Sequence, residues 1–70
     1  MLPIAEIDTL TMTVLNAVDL AAEGKLTDGY TALLAGLERA DELEEPWAPE
    51  LVARWRQAVE RYCTEYGVRE

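Results

Sequence analysis

The stretch Gly24-Lys25-Leu26-Thr27-Asp28-Gly29-Tyr30-Thr31-Ala32-Leu33-Leu34-Ala35-Gly36-Leu37-Glu38-Arg39-Ala40-Asp41-Glu42-Leu43 reads as a turn followed by a helix. Projected at about 100° per residue, its apolar and small residues cover a broad arc. The arc runs from Leu43, Gly36 and Gly29 through Ala40 and Leu33 to Leu37, Tyr30 and Leu34. A helix with one neighbour needs a narrower stripe, so this one is expected between two others. The arc also divides by size. Leu33, Leu37, Tyr30 and Leu34 can fill space against one neighbour, while Gly29, Gly36, Ala32 and Ala40 let a second approach closely.

Toward the N-terminus, Ile7, Leu10, Val14, Ala17 and Ala21 repeat at spacings of three and four, and Pro3 suits a first helical turn. Glu6, Thr9, Thr13, Asn16 and Glu23 keep the same rhythm on the other side. This predicts a helix over Pro3–Glu23. A competing signal lies inside it, because Thr9-Leu10-Thr11-Met12-Thr13-Val14 alternates with period two in β-favouring residues. Leu2, Met12 and Leu20 fall outside the arc and read as surface apolar residues or part of an interface. Gly24 suits the left-handed cap that ends this helix. Thr27 or Asp28 can cap the next one, with Leu26 packed just outside, and so short a connection makes the two helices antiparallel.

Toward the C-terminus, Pro46 disfavours helical geometry at Glu45, so the middle helix is expected to span Thr27–Glu44. Pro46-Trp47-Ala48-Pro49 is the linker. A third helix is expected over Pro49–Tyr66, carrying the stripe Leu51, Val52, Trp55, Ala58, Val59, Tyr62 and Tyr66 with Cys63 at its edge. Gly67 ends it and Val68-Arg69-Glu70 forms a tail. Glu50–Arg54 and Arg61–Glu65 are candidate ion pairs at i,i+4 spacing. The expectation is one all-α domain over residues 1–70, a three-helix antiparallel bundle or a helical hairpin plus a third helix.

The helix–Gly–helix hairpin resembles a tetratricopeptide repeat, in the order of small and large residues at Ala17, Leu20, Gly24, Leu26, Gly29, Leu33, Gly36 and Leu37. Trp55-Arg56-Gln57-Ala58-Val59-Glu60-Arg61-Tyr62, followed by Gly67, looks like the first helix of a second repeat. Glycine stands at two positions where that family prefers alanine. Gly24 and Gly67 are also 43 positions apart against a usual period of about 34, as in longer-period variants. The resemblance implies a helical interaction module in which Arg54 and Arg61 could hold a carboxylate-bearing peptide. Pairing with Glu50, Glu65 or the acidic helix is the other reading of those arginines.

A net charge of −8 repels phosphate backbones and anionic headgroups, which argues against nucleic acid and membrane surfaces as partners. No apolar run approaches the roughly 18–20 residues of a membrane span and the N-terminus lacks a basic region, so a cytoplasmic protein is expected. No histidine is present, which removes the usual general base and the commonest zinc ligand. Cys63, the only cysteine, sits far from any helix N-terminus and reads as a packing residue. No nucleotide-binding glycine pattern occurs. The chain is therefore expected not to be an enzyme, with no catalytic, cofactor-binding or metal-binding residues assigned. Glu38, Asp41, Glu42 and Glu45 place four carboxylates on one helix surface, which reads as a solvated face, a contact for a basic partner, or in the alternative a metal-dependent site.

What remains is a protein-interaction function, as an adaptor docking onto a larger protein or as a self-associating subunit. At this length a chain buries only about 60% of its unfolded surface, so an uncovered apolar face is expected. The candidate contact residues are Trp47, which either lids the core or anchors a partner, and Arg54, Trp55, Arg61, Tyr62 and Tyr66 on the third helix. A homodimer joined through that helix is slightly favoured over a heteromeric adaptor, because an isologous contact needs no other gene product.

Overall fold

A computed structural model describes residues 1–68 and consists of three helices, α1 (Ile4–Ala22), α2 (Leu26–Asp41) and α3 (Ala48–Tyr66), with no strand among the described residues. Of the expected tail, Val68 is described and residues 69 and 70 lie outside the described set. The Thr9–Val14 segment is helical. Its threonine hydroxyls turn back on the helix, Thr9 Oγ1 donating to the Ala5 carbonyl (2.9 Å), Thr11 to Ile7 (3.0 Å) and Thr13 to Thr9 (2.8 Å). Each hydroxyl is thereby satisfied locally, and the longer apolar period prevails over the β preference of the individual residues.

Gly24 takes φ +82° after α1, and the Lys25 amide reaches back to the Leu20 carbonyl at 2.8 Å, closing the helix end. The start of α2 departs from expectation. Lys25, not Thr27 or Asp28, is the N-cap and no side chain caps it, so Leu26 lies inside the first turn and is exposed. The end departs too, since α2 stops at Asp41 and not Glu44. The Glu42 and Leu43 amides bond to the Arg39 and Ala40 carbonyls, a tightening that swings Leu43 in against the core. In α3 Pro49 lies within the first turn, as its missing donor allows, and Gly67 closes the helix at φ +68° with the Val68 amide on the Cys63 carbonyl (3.1 Å).

The direction of the helices follows from who meets whom. Arg39 near the end of α2 pairs with Glu6 at the start of α1, and Gly29 near the start of α2 lies against Ala17 toward the end of α1. On the other side Gly29 meets Tyr62 and Gly36 meets Trp55. Each successive pair is antiparallel, so α1 and α3 run in the same sense. Both pack extensively on α2 and touch one another only lightly. The middle helix is therefore the spine. Its two glycines explain how: at Gly29 a Cβ would stand 2.9 Å from the Ala17 carbonyl oxygen, and at Gly36 it would stand 2.8 Å from Cε3 of Trp55.

Trp55, Leu33 and Leu51 are the largest wholly enclosed side chains, joined in the core by Ala17, Ala40, Val59 and Tyr62. Leu2 corrects the sequence reading, because it is 6% exposed and belongs to this core. The extended backbone at Pro3 (φ −62°, ψ 139°) puts Leu2 just before the helix, and Ile7, one turn in, packs on the same cluster. That is the position of a hydrophobic staple. The large apolar residues that face solvent among the described residues are Met1, Ile4, Met12, Leu15, Val18 and Leu26.

Candidate interaction groove

Because α1 and α3 flank α2 with little contact between them, an open groove of about 500 Å³ runs along their line of approach. Leu10, Val14 and Val18 of α1 form one wall and Leu33 of α2 lies at the floor. The α3 wall alternates apolar and polar groups, with Ala58, Tyr62 and Tyr66 inward and Arg54, Gln57 and Arg61 along the rim, Glu65 closing the row. Arg54, Gln57, Arg61 and Glu65 succeed one another at helical spacing, so one edge of α3 carries the whole polar rim.

The rim is electrostatically open. Neither Glu50–Arg54 nor Arg61–Glu65 forms an ion pair; those present among the described residues are Glu6–Arg39 and Glu23–Lys25 (3.5 Å). Arg54 and Arg61 are exposed and hold their charges over an apolar trough, in a chain whose net charge is −8. Such cations favour carboxylates arriving on a partner.

Tyr62 supports the groove from below. It is buried, its hydroxyl donates to the Leu26 carbonyl at 2.7 Å, and its ring tilts at 51° to that of Tyr66 with centroids 4.9 Å apart. Burial pushes the Tyr62 hydroxyl above its ordinary pKa, helped by Tyr66, Cys63 and the nearby carboxylate of Asp28. The phenol therefore stays a neutral donor and fixes the end of α3 to the start of α2.

The six residues expected to meet a partner separate into two groups. Arg54, Arg61 and the half-buried Tyr66 line the groove, with Tyr62 beneath them. Trp55 does not, because at 0% exposure its indole is wholly spent against Gly36 and the core, a correction to its place on any contact surface. Trp47 is half-buried and packs on the core from the linker. The acidic residues Glu38, Asp41, Glu42 and Glu45 are exposed, and no three His, Cys, Asp or Glu groups among the described residues converge to hold a metal ion. Asp41 and Glu45 instead border a dent of about 420 Å³ beside the linker, with Pro49, Val52 and Arg56. Cys63 is half-buried at the edge of the core.

The α1 wall is not legible in the sequence, where Leu10 and Val14 belong to the core stripe, and the exposure of Ile4, Leu15 and Val18 is visible only once α2 and α3 are in place. A faint signal existed: Ile4, Leu15, Val18 and Ala22 fall on one side of a helical projection, a second stripe beside the first. No helix among the described residues is long and apolar enough to cross a membrane. Comparison with known protein families, with curated proteins and with solved structures finds no match to the chain.

Proposed function

We propose that this chain is a non-catalytic protein-interaction module, acting in the cytoplasm, whose docking surface is the groove between α1 and α3. The observation that carries the reading is the groove itself, apolar along its floor and one wall and rimmed by Arg54 and Arg61 without carboxylate partners among the described residues. A monomer gains nothing by holding Leu10, Val14, Val18 and Tyr66 half open to water, and burial of apolar surface contributes about 25 cal/mol per Å². Such surface favours association. The serial stacking of α1 on α2 and α2 on α3, with Gly29 and Gly36 at the close approaches, is consistent with the tetratricopeptide-like reading of the hairpin.

A photo-crosslinking amino acid placed at Gln57, on the groove rim, and separately at Glu38, on the acidic face, tests the location. Discrete adducts from position 57 and none from position 38 are expected in cells. Adducts from position 38 alone, or from neither, would remove the groove from consideration.

A further inference from the structure

We propose that the groove is covered by a second copy of this chain, in a two-fold dimer built on the exposed side of α1. The inference rests on the interaction-module reading above and names the occupant. Ile4, Leu15 and Val18 are 77%, 55% and 40% exposed and lie with Ala22 on one stripe of α1. Val18 belongs both to this stripe and to the groove wall, so the two surfaces are continuous. A helix laid on the stripe also roofs the groove.

Charge decides which helix that is. The groove rim presents Arg54 and Arg61 with a single carboxylate, Glu65, at its end, so its occupant should be apolar on one side and carry carboxylates beside it. Among the described helices only α1 fits, because its charged residues, Glu6, Asp8 and Asp19, are all acidic, whereas α2 contains Arg39 and α3 contains Arg54, Arg56 and Arg61. Asp8 and Asp19 are exposed and flank the Ile4–Leu15–Val18 stripe on the side away from the groove. Since α1 and α3 run in the same sense, a two-fold axis parallel to α1 sets the stripes face to face. It also swings the acidic edge of each copy over the groove of the other. Asp8 and Asp19 are then about 16 Å apart along their helix and face arginines about 10 Å apart, a difference two long arginine side chains can span. The contact is reciprocal, as a closed dimer requires.

Size agrees. The fold extends 37 × 21 × 16 Å, so a contact along the long dimension offers more surface than an end-on one toward the roughly 800 Å² per partner of a stable interface. The alternative isologous contact through α3 lacks material, because Trp55, Val59 and Tyr62 are already buried beneath α2 and α1.

The test is a charge exchange at about 0.15 M salt, where screening beyond roughly 8 Å limits the repulsion between two acidic chains. Light scattering across concentration is expected to show a dimer for the unmodified chain. Arg54→Glu/Arg61→Glu and Asp8→Lys/Asp19→Lys should each shift the dimer–monomer midpoint at least tenfold toward monomer with helicity unchanged, since all four residues are exposed. Mixed in equal amounts, the two variants should dimerise again, because every crossed contact then joins opposite charges. A monomeric unmodified chain, variants that dimerise unaided, or a mixture that stays monomeric would each overturn the proposal. If the unmodified chain is monomeric while Gln57 crosslinks to a different protein, the self-contact falls and the module reading stands; if Gln57 crosslinks to nothing, both fall.

Discussion

Replacing Gly29 by alanine sets two known effects against each other, and the structure says which wins. Alanine in a helix interior is favoured over glycine by about 1 kcal/mol. At Gly29, however, the new Cβ would lie 2.9 Å from the Ala17 carbonyl oxygen, which is main chain of α1, and 2.9 Å from Cζ of Tyr62, with the Tyr62 hydroxyl in the way as well. Neither neighbour is the loose end of a flexible chain. Relief requires α1 to withdraw or the Tyr62 ring to swing out, and the second would break its hydrogen bond to Leu26. Overpacking of this kind costs about 1–3 kcal/mol and the lost hydrogen bond about 0.5–1.5 kcal/mol. After the helix-propensity gain, a net loss of about 0.5–3.5 kcal/mol remains, and in a domain of this size each kcal/mol lowers Tm by roughly 4–8 °C. Thermal unfolding followed by circular dichroism at several protein concentrations measures it. Part of the clash is with the hydroxyl, so Tyr62→Phe should cost less in the Gly29→Ala background than in the unmodified chain, a non-additivity that a double-mutant cycle reads directly. An unchanged or raised Tm for Gly29→Ala would mean that the three helices do not meet at this residue, and the packing argument would fail.

Gly36→Ala should likewise destabilise, by about 1–3 kcal/mol, because its Cβ would enter the Trp55 ring, and the change should alter Trp fluorescence where Gly29→Ala does not. Leu33→Ala, at a wholly enclosed site, is expected to cost about 2–5 kcal/mol in a denaturant titration, whereas Met12→Ala on the exposed side of α1 should stay within about 0.5 kcal/mol. For Tyr62 the folded pKa lies above the unfolded value near 10, so the folded state retains its proton longer. The stability this provides is complete below about pH 10 and is lost as pH rises through the folded pKa. Ultraviolet titration should therefore show a late tyrosine ionisation coinciding with alkaline unfolding, absent in Tyr62→Phe; a late step that survives the substitution would assign it to another group.

Helix content, order and approximate ends belong to the sequence, because they depend on local rules that any stretch of chain obeys. The three- and four-residue spacing of α1 outweighed the alternating threonines, Gly24 and Gly67 closed their helices in the left-handed conformation, and Pro46 and Pro49 bracketed the linker. The broad arc of α2 announced two neighbours, and its small residues marked where they come close. Other features depend on which surfaces meet. Trp55 and Tyr66 occupy one stripe of α3, yet Gly36 receives the indole whole while Tyr66 is left at the groove, a difference set by the position of α2 and not by the stripe. Leu2 looked superficial because it precedes the helix, and it is buried because the extended Pro3 turns it onto the core. Arg54 and Arg61 had carboxylates at the right spacing, but i,i+4 pairs in water contribute only about 0.2–0.5 kcal/mol, too little to hold two long side chains. The groove has no sequence signature of its own, since it is the space that remains when α1 and α3 pack on α2 and not on each other.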